Sequence, residues 1–427
     1  MSRKLLAVLA IGLLLPLIAC SQSTVPAIGE VLKSDKERIS SPDVSASEQA
    51  LLVEGNRAFA FALYQALKGG EGNLFYSPYS ISLALAMTYA GARGETAQQM
   101  ADTLHFTLGQ DRLHPAFNWL DAELASRGEG AAGKDEKGFR LNIVNAIWGQ
   151  KDYEFLINFL DILAENYGAG LRILDFMAEP EESRVTINDW VSNQTEGRIE
   201  DLIPQGAIDE LTRLVLTNAI YFNAAWEYPF NATMTADGPF YLLDGGQVTV
   251  PMMKQTKLLG YAEGEGYQAV ELPYEDVPLS MVILLPASGN FEAFEQGLQA
   301  QQVSDIIDGR QFREVDLSMP KFEFDSEFSL KDILTGMGMP VAFSGDADFS
   351  GMTGNRELSI GDVIHKAFVS VDEAGTEAAA ATAVTMPTSG PPEPPAEVTI
   401  DRPFIFLIRD IKTGAIIFVG RVLNPAA

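Results

Sequence analysis

Glu373-Ala-Gly-Thr-Glu-Ala-Ala-Ala-Ala-Thr-Ala-Val384 lies near the C-terminus of a 427-residue chain and suits no single conformation. Four consecutive alanines favour helix, yet Gly375, Thr376, Thr382 and Val384 do not. Read with period two, Thr376, Ala378, Ala380, Thr382, Val384 and Met386 share one strand face, and every one of them is uncharged. Glu377 falls on the other face, so the segment can enter a sheet with its first face turned to a core. Pro387-Thr-Ser-Gly-Pro-Pro-Glu-Pro-Pro395 follows, a run that excludes regular structure and predicts an exposed loop tip.

Outward from this hinge, further motifs appear in a fixed order. Asn73-Leu-Phe-Tyr-Ser-Pro-Tyr-Ser-Ile-Ser82 precedes Ala90-Gly-Ala-Arg-Gly-Glu-Thr96. Leu216-Thr-Asn-Ala-Ile-Tyr-Phe222 with Trp226 comes next, then Met319-Pro-Lys-Phe322 and Val363-Ile-His-Lys-Ala-Phe368. Arg402-Pro-Phe404, Phe418-Val-Gly-Arg-Val422 and Asn424-Pro425 close the series. In order and spacing this set resembles the serpin family over residues 49–427, with the reactive-centre loop at about 373–397.

The resemblance implies a proteinase trap that needs no catalytic residue of its own. A serine proteinase would cleave the loop, form an acyl-enzyme and be dragged as the hinge inserts into the main sheet. Some sixteen residues from Glu373 to the scissile bond, at ~3.3 Å each, give a displacement of roughly 50 Å. Counting forward from Glu373 by the family's hinge length puts that bond at Ser389-Gly390, with Thr388-Ser389 as the alternative. Counting back from Arg402-Pro-Phe404 puts it near Pro392-Glu393, so the loop reads as longer than the commonest form. A small polar residue before the bond suits elastase-like or subtilisin-like proteinases. The hinge is Glu373, Gly375, Thr376, Ala378, Ala380 and Thr382. A polar "shutter" of Ser77, Ser80, Asn218 and His365 would lie behind the sheet, and a "breach" of Trp226, Lys321 and Glu373 at its top. The competing class within the family is a non-inhibitory carrier, which commonly has bulky, charged or proline residues in the hinge.

Composition narrows the partners. The formal net charge of −28 disfavours nucleic acid and anionic surfaces. No Pro/Gly/Ser-rich linker divides the chain after residue 49, and a 47% hydrophobic content can fill one large core. Apolar positions at helical spacing over residues 47–68, and helical readings for Ile81–Tyr89, Glu95–Leu104 and Thr186–Thr195, come early. Strands are expected at Phe139–Trp148, Leu214–Phe222, Gln268–Leu272, Leu279–Leu285, Asp316–Phe322, Ala367–Val371, Phe404–Ile408 and Ile416–Val422. The fold class is α+β.

Enzyme signals are weak: three histidines (His105, His114, His365), no HExxH and no G-x-S-x-G. A hydrolase is therefore disfavoured, and no metal or cofactor is expected. Gly128-Glu-Gly-Ala-Ala-Gly-Lys134 mimics a phosphate loop, but Asp135 stands where Ser or Thr is required. Cys20 is the single cysteine; Arg3, Lys4 and the apolar run Leu5–Ile18 precede it. Leu17-Ile-Ala-Cys20 resembles a bacterial lipobox. Residues 1–19 then read as a signal peptide, Cys20 as the lipidation site, and residues 20–48 as a polar tether. The expected product is a monomer lipid-anchored outside the cytoplasm, at an outer membrane or cell surface.

Overall fold

Leu214–Ala225 (β5) is buried at each of its 12 positions, which is why its sequence is an unbroken apolar run around Thr217, Asn218 and Asn223. The computed structural model describes residues 30–128, 139–376 and 394–427. Among these, β5 is the middle of a seven-stranded sheet in the order β1 (Glu30–Leu32), β4 (Leu171–Leu174), β3 (Arg140–Gln150), β5, β13 (Gly375–Thr376), β12 (Asp362–Val371) and β11 (Phe322–Ser329). The two faces of β5 serve different cores. Leu214, Leu216, Ile220 and Phe222 join the main core, whereas Val215 and Ala219 pack with Trp148, Ile187 and Trp190.

A second, nine-stranded sheet runs β14 (Ala396–Thr399), β10 (Gln311–Pro320), β7 (Gln247–Gly264), β8 (Tyr267–Pro273), β9 (Leu279–Pro286), β15 (Phe404–Asp410), β16 (Ile416–Val422) and β2 (Leu74–Tyr76), with β6 (Ala236–Tyr241) on β7. Among the described residues the helices are α1 (Ala46–Leu67), α2 (Pro78–Tyr89), α3 (Gly94–Leu104), α4 (Gln110–Ser126), α5 (Ile157–Tyr167), α6 (Pro180–Gln194), α7 (Phe291–Gly297), α8 (Ala300–Asp308), α9 (Lys331–Met337) and α10 (Ser350–Thr353). Ser45 and Glu48 form a capping box that starts α1. All 12 residues of α2 are buried, and this helix packs on β3, β5 and β16, joining the two sheets. The α+β class expected from the sequence is the class observed.

Several elements start earlier than expected, α6 at Pro180 and β12 at Asp362 among them, and two readings change in kind. Asp316–Phe322 is not one strand: β10 ends at Pro320 and β11 begins at Phe322, so Lys321 sits at a junction between sheets. The tether reading of 20–48 does not extend through its second half. Glu30–Leu32 pairs antiparallel with β4, Arg38 donates to Asn118 and Asp121, and the Ile39 amide donates to Glu165 O. No helix among the described residues is long and apolar enough to cross a membrane.

Candidate functional site

β5 and β12 are parallel neighbours, paired from Val215–Asp362 to Ile220–Ala367. Beyond that point they part, and the start of the quoted segment occupies the gap. The chain leaves β12 at Val371, and the Asp372 carboxylate accepts the Ala374 amide in a tight turn at 3.0 Å. Gly375 and Thr376 then run back antiparallel to both strands, Thr376 opposite Val371 on one side and Ala224 on the other. Only glycine fits at 375, since a Cβ there would lie 2.2 Å from Ala224 O. Thr376 is 2% exposed, and its hydroxyl shares a 2.9 Å hydrogen bond with Tyr274 Oη. The inward face assigned to Thr376 from period two is thus the face it presents. Thr376 has therefore already left water.

The breach residues meet around this entry point. Trp226 stacks on Tyr274 at 4.7 Å between centroids, and its indole N–H donates to Asp372 O at 3.1 Å. The Trp226 amide donates to Ala374 O at 2.9 Å and the Phe230 amide to Glu373 O at 2.6 Å, so the turn is fixed through its backbone. Lys321 Nζ lies 2.7 Å from Glu373 Oε2, and Thr235 Oγ1 donates to Glu373 Oε1 at 2.7 Å. Partial burial works against ionisation of Glu373, but the hydrogen bonds from Lys321 and Thr235 outweigh it and hold the carboxyl below its usual range.

Lower on the same strands the expected shutter is assembled. Ser77 caps α2, accepting the Ser80 amide at 3.1 Å and donating to Ile417 O at 2.7 Å. The Ser77 amide donates to His365 Nε2 at 3.2 Å. That nitrogen must therefore carry a lone pair, and Nδ1 carries the proton that it gives to Asn218 Oδ1. Asn218 Nδ2 donates to Ser80 Oγ at 2.6 Å and to Asn145 Oδ1. Desolvation lowers the His365 pKa to about 3, because a charged ring here would be fully buried. His365 and Asn218 are opposite one another across the β5–β12 pairing, so the cluster bridges the two strands below the hinge.

Asn145, on β3, completes this network and was absent from the sequence-based set. Its signal is an asparagine within the otherwise apolar stretch 143–149, where that residue is disfavoured unless bonded. The other two histidines lie apart: His114 is buried in α4 against Tyr167 at 2.7 Å, and His105 caps α3. The hinge positions Ala378, Ala380 and Thr382, the bond candidates Thr388, Ser389 and Gly390, the phosphate-loop mimic after Gly128, and Cys20 lie outside the described residues. On the far side of the loop the chain returns at Pro394, whose carbonyl accepts from Arg313 at 3.2 Å, and β14 pairs parallel with β10.

Fold and site together define a protein whose loop enters its principal sheet between two strands that are otherwise paired. A family model described as serpin (serine protease inhibitor) matches residues 54–425, and the chain belongs to that family. An uncharacterised serpin-like protein of Thermococcus kodakarensis is 42% identical over 408 residues, spanning 95% of this chain and 90% of the relative. A leukocyte elastase inhibitor of Xenopus laevis is 41% identical across 86% of this chain and 97% of its own length. Among solved structures, the thermophilic serpin tengpin in its native state is similar at a TM-score of 0.79 and 30% identity, covering 92% of this chain and 97% of that one.

Proposed function

We propose that this chain inhibits a serine proteinase of elastase-like or subtilisin-like preference by accepting it as a substrate and then inserting the cleaved loop. The register of Gly375 and Thr376 carries the reading. Continued residue by residue, it brings Thr382 opposite both Asn218 and His365, the pair that closes the sheet. Thr382 has a hydroxyl that can donate and accept, so it can replace the bond it breaks. The same register brings Met386 to Leu214, the start of β5, and leaves Pro387 just beyond the strand, where its missing N–H costs no ladder bond. Insertion along the 12 residues of β5 corresponds to roughly 40 Å of travel.

The inserted strand gains hydrogen bonds on both edges, while the uncleaved loop is tethered at both ends, which opposes its insertion. The native form is then kinetically trapped above a more stable one. The loop has no Arg or Lys from Ala374 to Asp401, which excludes a trypsin-like preference by this route. Mixing the full chain with a proteinase panel tests the proposal. A complex that survives denaturing electrophoresis is expected with an elastase-like or subtilisin-like enzyme. Cleavage by every enzyme without retained complex would favour the carrier alternative.

We also propose that Cys20 is lipidated and that the sheet orients the anchor. Glu30 is level with Ile173, Gly149 and Leu214, at the end of the sheet opposite Ala224 and Ala225. A chain from Cys20 to Glu30 reaches at most roughly 35 Å. The anchored pole would therefore face the membrane, and the loop would face away from it. Replacing Cys20 with Ala should release the protein on fractionation; unchanged membrane attachment would exclude the lipobox.

A further inference from the structure

Leu211 is 80% exposed, more than any other large apolar side chain among the described residues. It is held out by its turn. Asp209 Oδ1 accepts the Leu211 amide at 2.9 Å and the Thr212 hydroxyl at 3.0 Å, and the Asp209 amide donates to Thr212 Oγ1 at 3.1 Å. The turn satisfies its backbone with polar side chains and leaves the leucine in water.

Three more exposed apolar side chains share this end of the seven-stranded sheet. Ile157 is 61% and Met177 51% exposed, and Leu156 is exposed next to Ile157. The strand ends fix their place. β3 stops at Gln150 and β4 at Leu174; the Gln150 amide donates to Arg213 O at 2.9 Å and the Lys151 amide to Leu174 O at 2.8 Å. Met177 follows β4, its amide donating to Gln150 Oε1 at 3.1 Å. Only residues 151–156 connect β3 to α5, and Leu156 stands at the cap position with no side-chain hydrogen bond to offer. Ser, Thr, Asp or Asn is favoured there, so an exposed leucine at this position does nothing for the helix. Single exposed apolar residues are ordinary, but four at one pole, one of them in place of a cap, call for a partner.

The chain from Cys20 arrives at the same pole. Glu30 lies ten residues after Cys20 and pairs with Ile173 near the end of β4. We propose that Leu156, Ile157, Met177 and Leu211 form a second, shallow contact with a net-neutral phospholipid surface, docking this pole on the bilayer that holds the anchor. The inference rests on the lipidation of Cys20 and goes beyond it by naming the side chains that touch lipid. A short tether keeps the lipid surface at high effective concentration, so a few apolar side chains suffice. Charge selects the lipid: residues 151–157, 175–177 and 209–213 carry five carboxylates and two cations, which an anionic surface would repel. The contact orients the molecule. Gly375 and Thr376 enter at the other end of β5, whose 12 residues span roughly 40 Å, so the loop points away from the lipid.

Photolabelling of the full chain, purified from bacterial membranes and reconstituted in phosphatidylcholine vesicles, tests the contact. The vesicles contain a lipid with a diazirine in its acyl chain, and labelled peptides are mapped by mass spectrometry. Label is expected on the peptides holding Leu156 and Ile157, Met177 and Leu211. It should be absent from Met234, which is 54% exposed and adjoins Thr235 at the hinge end. Leu211→Glu combined with Ile157→Glu should lower labelling at Met177 at least about tenfold, since two side chains no longer gain by leaving water. Leu211→Glu alone, on an exposed turn, should give an intermediate loss. Vesicles rich in phosphatidylglycerol should label less; stronger labelling there would overturn the neutral surface. An attached chain labelled at neither end or equally at both, or unchanged Met177 labelling in the double variant, would overturn the contact while leaving the anchor in place. A chain that does not attach at all would overturn the lipidation of Cys20 instead. A maleimide lipid coupled to Cys20, the single cysteine, then supplies the anchor, and the same peptide map decides the contact.

Discussion

The breach and the shutter are built on the same two strands and are in opposite states. At the top, Thr376 already lies between Ala224 and Val371, and the strands are separated. A few residues lower, Asn218 and His365 bond directly and the strands are paired. The upper site is fixed by backbone bonds, a tryptophan stack and a partly exposed ion pair; in the lower one Ser77, Ser80, Asn218 and His365 are buried, Asn145 is half-buried, and each has a named partner. The contrast assigns different work to the two. Under the proposed mechanism the breach would set where the loop starts, and the shutter what must break for it to continue.

Loading the top should have the largest effect. Thr376→Arg would put a cation where a buried hydroxyl meets Tyr274, a neutral partner that cannot compensate the charge. Stable complex with a susceptible proteinase should fall at least about tenfold while cleavage of the loop persists; Ala379→Glu, on the outward face, should be milder. Equal loss in both variants on denaturing gels would break the inward–outward assignment.

Opening the shutter should come next. Asn218→Ala leaves the His365 Nδ1–H and the Ser80 hydroxyl short of a partner, at a cost of roughly 2–3 kcal/mol. Urea unfolding should show that loss, and uncleaved protein should convert more readily to an inserted form on warming. Unchanged stability would mean that the network does not hold the strands.

Acid acts on the same cluster. Folding lowers the His365 pKa, so the unfolded chain binds the extra proton. The contribution is complete above the ordinary histidine value of about 6.5 and is lost as pH falls toward about 3. Histidine ¹⁵N spectra of the native chain at pH 5 should show His365 neutral with the proton on Nδ1; a charged ring would contradict the assigned bonds. The smallest effect belongs to the breach ion pair. With the Lys321 side chain 37% exposed, Lys321→Ala should cost under about 1 kcal/mol in the same unfolding assay.

The sequence was readable where chemistry and burial coincide, and silent where two states share one composition. β5 announced itself because both of its faces are buried, and α1 because its apolar positions keep helical spacing over its length. β7 was missed because its buried positions alternate irregularly with exposed ones around Pro251 and Gly260. Lys321 looked like a strand interior because nothing local marks the crossing from one sheet to the other. Ser77, Ser80, Asn218 and His365 were legible only through family resemblance: they are far apart in sequence, and hydrogen bonding across a fold leaves no periodic trace. Small hinge residues reveal that a strand can enter a sheet. They do not reveal how far it has entered, which depends on the balance between the sheet and the loop.

The structure of the chain after cleavage in the loop tests the central claim most directly. The account predicts a full strand from Gly375 to Met386 between β5 and β12, with Thr382 level with Asn218 and His365 and Pro387 just past Leu214. A loop that stays outside the sheet, or a strand shifted by one residue so that Glu377 turns inward, would contradict it.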